Sequence, residues 1–237
     1  MNIFLITGWG MGVSALQPLQ AALQCCGHEV ILCDVFNPFD ALQRATIHRQ
    51  AAAADVLMGW SLGGQLAACL AQDGLKSGGK RQYLITLASN PCFVANQSWS
   101  CAMTKPVFER FQCDWQQQPS VALKRFIGLV CMGAADARAD VRTLQNLISP
   151  PPEKMLADGL NALRDLDLTD ILRRYPYPQY HLLAQHDALV PHTLSGCLKT
   201  LNAPHLHVDV LPNESHAFAA LRVQSALQYI CAFLDSL

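Results

Sequence analysis

An apolar run from Asp55 to Trp60 passes directly into Ser61-Leu62-Gly63-Gly64 and then into a helix-forming stretch from Gln65 to Ala71. A strand that bends into a helix so abruptly needs residues without side chains around the bend, and Gly59 and Gly63 supply them. This stretch predicts a strand, a tight turn and a helix, and the pattern recurs along the chain. Asn2 to Thr7 is a short apolar run ending in Gly8-Trp9-Gly10-Met11-Gly12, with helical spacing from Val13 to Leu23 behind it. Glu29 to Asp34 and Gln82 to Leu87 repeat the strand signal. Short apolar strands alternating with helices predict a parallel sheet covered on both faces.

The alternation stops at Cys92. From there to about Arg174 the spacing predicts helices, with Trp99, Phe108, Phe111, Trp115, Phe126 and Leu129 on apolar faces and a break at Pro150-Pro151-Pro152. Strand signals return at Gln179 to Ala184 and Leu206 to Leu211, before an amphipathic helix from Phe218 to Leu234. The organisation that follows is an α/β core built from residues 1–91 and 176–237, with residues 92–175 inserted as a helical cap. Sites in open α/β sheets lie at the carboxyl ends of the strands, where such an insertion can serve as a lid.

Composition narrows the function classes. The 237 residues are 51% apolar and 15% charged, so one folded domain is expected, with core enough to need no metal or disulfide. Seventeen basic against 18 acidic side chains argue against a nucleic-acid binder, whose footprint is a basic excess. No run of 18 apolar residues suggests a membrane span, and Met1 to Ile6 has no basic lead-in, so no signal peptide is expected and the cytoplasm is predicted. The ten cysteines sit largely in apolar stretches without a Cys-x-x-Cys pair. Most are therefore expected to be reduced core residues, and no metal site is expected.

Gly59-Trp60-Ser61-Leu62-Gly63 matches Gly-x-Ser-x-Gly in the strand-to-helix context that turns such a serine into an exposed nucleophile. A serine hydroxyl is a weak nucleophile at its ordinary pKa, so it requires a histidine base and an acid to orient that base. On a sheet of this kind the order along the chain is serine, acid, histidine. Asp187 follows the strand Gln179 to Ala184, and His216 follows Leu206 to Leu211, so Ser61, Asp187 and His216 are the predicted triad. His186 is a rival base, and Asp209 and Glu214 are rival acids. The oxyanion of acyl transfer needs two N–H donors; Leu62 supplies one and the Trp9 backbone is the candidate for the other, with its indole walling the pocket. No cofactor is required.

Taken together, Gly8-Trp9-Gly10, the serine turn, Ala88-Ser89-Asn90-Pro91-Cys92-Phe93, Asp187-Ala188-Leu189-Val190-Pro191 and His216-Ala217 form a narrower pattern. With Met132-Gly133 and the segment Ala137 to Arg142, they resemble the pimeloyl-[acyl-carrier protein] methyl ester esterases of biotin synthesis, over nearly the whole chain. The resemblance implies the α/β-hydrolase fold, the triad Ser61, Asp187 and His216, and pocket contacts from Trp9, Leu62 and the stretch Phe126 to Val130, with Val130 where the family has a polar residue. It implies an acyl carrier protein as partner, bound by Arg125, Arg138 and Arg142, while Val121 stands where another arginine is expected. Arg138 and Arg142 are four residues apart and share a helix face, suited to gripping a phosphate or carboxylate unless Asp136 and Asp140 neutralise them. Thr7 replaces the histidine usual before Gly8, the turn after the second strand lacks its usual glycines, and the antiparallel strands common before the first core strand are not expected. Two other functions remain open on the residues alone: a broad carboxylesterase or thioesterase for small acyl esters, and a non-catalytic binding protein of the same fold.

Overall fold

A computed structural model describes residues 1–237. Six strands form one sheet: β1 (Asn2–Ile6), β2 (Glu29–Cys33), β3 (Val56–Trp60), β4 (Tyr83–Leu87), β5 (Gln179–Ala184) and β6 (Leu206–Leu211). All pair in parallel, in the order β2-β1-β3-β4-β5-β6. Every residue of β3 is buried, as helices on both faces require. The chain leaves β1 towards β2 on one side and returns to β3 on the other, so the order in which strands are added reverses between β1 and β3. Ligand sites of open α/β sheets form at such a switch point, and Trp9 and Ser61 lie just beyond those two strand ends.

Helices α1 (Gln17–Cys25), α2 (Ala41–Ala51) and α3 (Leu62–Lys76) connect the first four strands, with a 3-10 turn at Val13–Leu16 before α1. The sequence pattern does not signal α2, which has no apolar stripe. Asp40 starts it instead, its side chain accepting from the N–H groups of Leu42 and Gln43. Between β4 and β5 stand α4 (Lys105–Gln117), α5 (Pro119–Cys131), α6 (Ala137–Leu147), α7 (Glu153–Asp165) and α8 (Thr169–Arg174). After β5 come α9 (Leu194–Thr200), α10 (Phe218–Leu221) and α11 (Val223–Leu234). One hydrophobic cluster of 67 buried residues runs through the sheet and the inserted helices alike.

Three expectations are corrected. Cys92 to Thr104 is irregular rather than helical. Asn96 Oδ1 accepts from the backbone N–H groups of Ser98 and Trp99, an alternative to helix that asparagine offers its own backbone, and Trp99 donates its indole N–H to Asn90. The final helix is broken at Arg222, where φ is -122° and ψ is 49°. The cysteines are not mostly core residues, for of the free ones only Cys69, Cys92 and Cys131 are buried. Cys101 and Cys197 form a disulfide across 96 residues, with Cα atoms 6.5 Å apart, joining the segment before α4 to α9. No helix is long and apolar enough to cross a membrane.

Candidate active site

Ser61 sits between β3 and α3 with φ 56° and ψ -122°, a left-handed φ that an L-residue adopts only when its surroundings impose it. A Cβ at Gly59 would strike the Gly63 carbonyl, and one at Gly63 would strike the Ile6 carbonyl, so the bend can close only with glycine at both positions. The Ser61 N–H bonds the Leu87 carbonyl at 2.8 Å, pinning the turn to the neighbouring strand. The strain is thus held by packing on both sides.

Asp187 and His216 meet although they lie on separate loops. His216 Nδ1 is 2.7 Å from Asp187 Oδ2, with the two side chains 1% and 0% exposed. The other carboxylate oxygen accepts the N–H groups of Leu189 and Val190, both at 2.8 Å, so the acid is itself oriented. A carboxylate on Nδ1 keeps the proton there and leaves Nε2 as the acceptor of the neutral ring. Nε2 is buried and has no hydrogen-bond partner. Trp60, the residue before Ser61, donates its indole N–H to the His216 carbonyl at 3.0 Å, and the two rings lie 5.8 Å apart, which sets the imidazole beside the serine turn. No hydrogen bond joins Ser61 to Nε2; such contacts commonly tighten only around a bound substrate.

The rival acids are engaged elsewhere. Asp209 accepts from the Tyr180 hydroxyl at 2.9 Å, and Glu214 lies 3.6 Å from Arg222. His186 is exposed. His181 is a buried strand residue bonded to Thr86 and Gln179, and burial pushes its pKa down to about 4.

Above Ser61 lies a cavity of about 90 Å³ with ten of its eleven lining residues hydrophobic. Trp9 and Phe126 line it, their rings edge to face at 4.8 Å, and Phe111 joins Trp9 at 5.6 Å. The Trp9 indole N–H bonds the Leu156 carbonyl of α7 at 2.7 Å, and a Cβ at Gly159 would come within 2.6 Å of that indole. The loop after β1 and helix α7 are therefore locked through one tryptophan. The backbone N–H groups of Trp9 and Leu62 find no acceptor within the chain.

A pimeloyl-[acyl-carrier protein] methyl ester esterase of Vibrio parahaemolyticus is 32% identical over 228 residues, covering 91% of this chain and 87% of that one. The chain belongs to the pimeloyl-[acyl-carrier protein] methyl ester esterase family. A biotin biosynthesis bifunctional protein BioHC of Cellvibrio japonicus is 31% identical across 99% of this chain, which spans about half, 48%, of that longer relative. The solved structure of an esterase from Exiguobacterium antarcticum superposes with a TM-score of 0.83 at 16% identity, over 99% of this chain and 92% of that one, the likeness of a shared α/β-hydrolase fold. No family model matches the chain.

In this family member Val130 departs from the expectation of a pocket contact. Its side chain is fully buried away from the cavity, and its carbonyl accepts the N–H of Ala217 at 3.1 Å, tethering the residue after His216 to α5. The arginines differ among themselves. Arg125 pairs with Asp114 at 3.3 Å, whereas Arg138 and Arg142 stand exposed on α6 without a carboxylate partner. Asp136 is occupied in capping α6 and Asp140 in binding Arg222, so neither neutralises them. Arg222 and Gly159 carry roles that the sequence pattern does not assign. A glycine inside the α7 helical run was the one available signal, because such a glycine marks a close approach.

Proposed function

We propose that the chain is a serine carboxylesterase that hydrolyses the methyl ester of a pimeloyl group held on an acyl carrier protein, with Ser61, His216 and Asp187 as its triad. The observation that carries this proposal is the buried Asp187–His216 pair, ending in an unpartnered Nε2 beside the strained serine turn. Ser61 Oγ attacks the ester carbonyl while Nε2 takes its proton, and the oxyanion is met by the Trp9 and Leu62 N–H groups, each worth about 3–4 kcal/mol in such a hole. The imidazolium then protonates methoxide, which leaves as methanol. Water, deprotonated by the same Nε2, attacks the acyl-enzyme and releases the free carboxylate with Ser61 restored.

The apolar cavity supports a neutral ester as substrate. No charged side chain lines it, so a free carboxylate would lose its hydration there without gaining a partner. Hydrolysis converts a group that fits into one that does not, which favours product release. Arg138 and Arg142, exposed and unpaired, are the proposed contacts for the acidic carrier and its phosphate, together with Arg125. A second function, hydrolysis of free small acyl esters, is favoured by the small volume of the cavity, about 90 Å³.

Mass-spectrometric conversion of methyl pimeloyl-carrier protein to the free acid, run beside Ser61→Ala, tests the proposal. Conversion by the wild type alone supports it. Hydrolysis of p-nitrophenyl butyrate without conversion of the carrier-bound ester would favour the second function.

A further inference from the structure

Glycines alternate through the loop that follows β1, at Gly8, Gly10 and Gly12, and the last two hold left-handed φ angles of 78° and 70°. Such a loop has little stiffness of its own. From Gly8 to Met11 the backbone makes one hydrogen bond within the chain, Met11 N–H to the Gly8 carbonyl at 3.4 Å. Yet this loop carries the Trp9 N–H, one of the two donors proposed above for the oxyanion. It passes so close to the serine turn that a Cβ at Gly8 would meet the Ser61 Cβ at 3.3 Å. Two side chains hold it from outside. The Trp9 indole bonds the Leu156 carbonyl at 2.7 Å. At the start of the loop Thr7, fully buried, donates its hydroxyl to Asp34 Oδ1 at 3.0 Å and its N–H to the Cys33 carbonyl at 3.0 Å. The same Asp34 oxygen accepts the Val35 N–H at 2.8 Å, and Val35 and Phe36 are buried, so the carboxylate is anchored to the core behind it. The Thr7 carbonyl faces the first turn of α3, where a Cβ at Gly63 would come within 2.5 Å of it.

We propose that Thr7 is a positioning residue for the reaction: its hydrogen bond to Asp34 sets the Trp9 N–H in its place opposite the Leu62 N–H. Two donors meant for one oxygen sit on separate elements, the glycine loop and α3. Thr7 is the residue packed against α3 on one side and bonded to Asp34 on the other, so it fixes the point from which the loop departs. It touches neither the substrate nor the reacting atoms. A donor aimed at developing charge matters more to the oxyanion than to the neutral ester carbonyl, so a loosened Trp9 N–H slows turnover without weakening substrate binding. A bond that served the fold alone would change stability and leave turnover by the folded molecules intact. This role rests on the esterase proposed above and deepens it.

Thr7→Val keeps the branched shape and removes the hydroxyl, Thr7→Ser keeps the hydroxyl, and Asp34→Ala removes the acceptor from the other end. Titration with a fluorophosphonate counts the competent Ser61 in each preparation, so kcat on p-nitrophenyl acetate is taken per labelled site. Inhibition by a trifluoromethyl ketone, whose carbonyl becomes an oxyanion when Ser61 adds to it, reads the hole directly. Thr7→Val and Asp34→Ala are expected to lower kcat per labelled site about tenfold or more, as a misplaced catalytic group does, with KM changed by less than about twofold. Affinity for the ketone should fall by about the same factor as kcat/KM. Thr7→Ser should restore most of both. If Thr7→Val does not fold, Asp34→Ala decides on the same readings. Unchanged kcat per labelled site, or unchanged ketone affinity beside a lowered kcat, overturns the role of Thr7 and leaves the esterase standing. Failure of both Thr7→Val and Asp34→Ala to fold, where Thr7→Ser folds, overturns it too, because the bond would then hold the fold rather than the donor. A wild type that the fluorophosphonate does not label overturns the esterase itself.

Discussion

Arg222 Nη2 donates to both carboxylate oxygens of Asp140, at 2.9 and 2.7 Å, and so ties the helix break before α11 to the cap helix α6. Arg222 also faces Glu214, whose backbone carbonyl takes the His186 N–H and which lies two residues before His216. Burial pushes the Glu214 carboxyl up, and the guanidinium opposes that shift. The His216 loop is thus held to the cap at Glu214 through Arg222 and at Ala217 through Val130. Arg222→Gln is expected to lower stability by about 1.5–3 kcal/mol, the usual worth of hydrogen bonds to a charged group, and to lower kcat on a short ester with little change in KM. Urea unfolding and steady-state kinetics measure the two effects.

Ser61→Ala is expected to abolish labelling by a fluorophosphonate and to lower kcat by at least about 10⁴-fold. Ser61 holds a left-handed φ of 56°, so an equally small residue should not relieve the turn, and a folded but inactive protein is the expected product. Circular dichroism beside the labelling assay separates loss of chemistry from loss of fold.

Asp187→Asn keeps the size of the side chain but removes the charge facing His216 Nδ1. The ring then loses the partner that fixes its tautomer, and kcat should fall about 10⁴-fold. Crystallography of the variant should show the His216 ring in place. A variant retaining more than a tenth of wild-type kcat would argue for a different acid.

Gly159→Leu tests the lock between α7 and Trp9. A Cβ there already meets the indole at 2.6 Å, so a larger side chain must push Trp9 out of place. Helix propensity alone would make leucine stabilising at this position by up to about 1 kcal/mol. Loss of both stability and kcat is expected instead, measured by thermal unfolding and ester hydrolysis.

The buried His181 makes stability depend on acid. Its folded pKa is about 4 against 6.5 for an unperturbed imidazole. Between those values the unfolded chain binds a proton that the folded chain refuses, so stability falls as the pH drops through that window, and the group adds no further loss below it. The total is about 3 kcal/mol. Urea unfolding at about pH 7 and about pH 4.5 should show most of this loss in the wild type and much less of it in His181→Gln.

Much of this was local and could be read from residue order. Strand periods, glycines around Ser61 and the order serine, acid, histidine depend on neighbours a few residues apart, so the chain alone specified six strands, the serine turn and the candidate triad. The cap proved partly legible: its helices follow apolar spacing, but Cys92 to Thr104 does not, because Asn90 and Asn96 hold that segment with side-chain hydrogen bonds that apolar periodicity does not report. The break at Arg222 was hidden for a related reason, since its partners Asp140 and Glu214 are distant in sequence.

What only the tertiary structure decided was which side chains meet across the sheet order. Parallel pairing of β5 with β6 brings the loop of Asp187 against that of His216, and no sequence spacing measures that 2.7 Å contact. Val130 shows the same division: the family resemblance implied a pocket contact, yet the rotation of α5 turns the side chain into the core and leaves only its carbonyl to act. The freedom of Arg138 and Arg142 depended likewise on where Asp136 and Asp140 point. Residue types and their period specify elements; which face of each element meets which neighbour is fixed by packing the whole chain around one core.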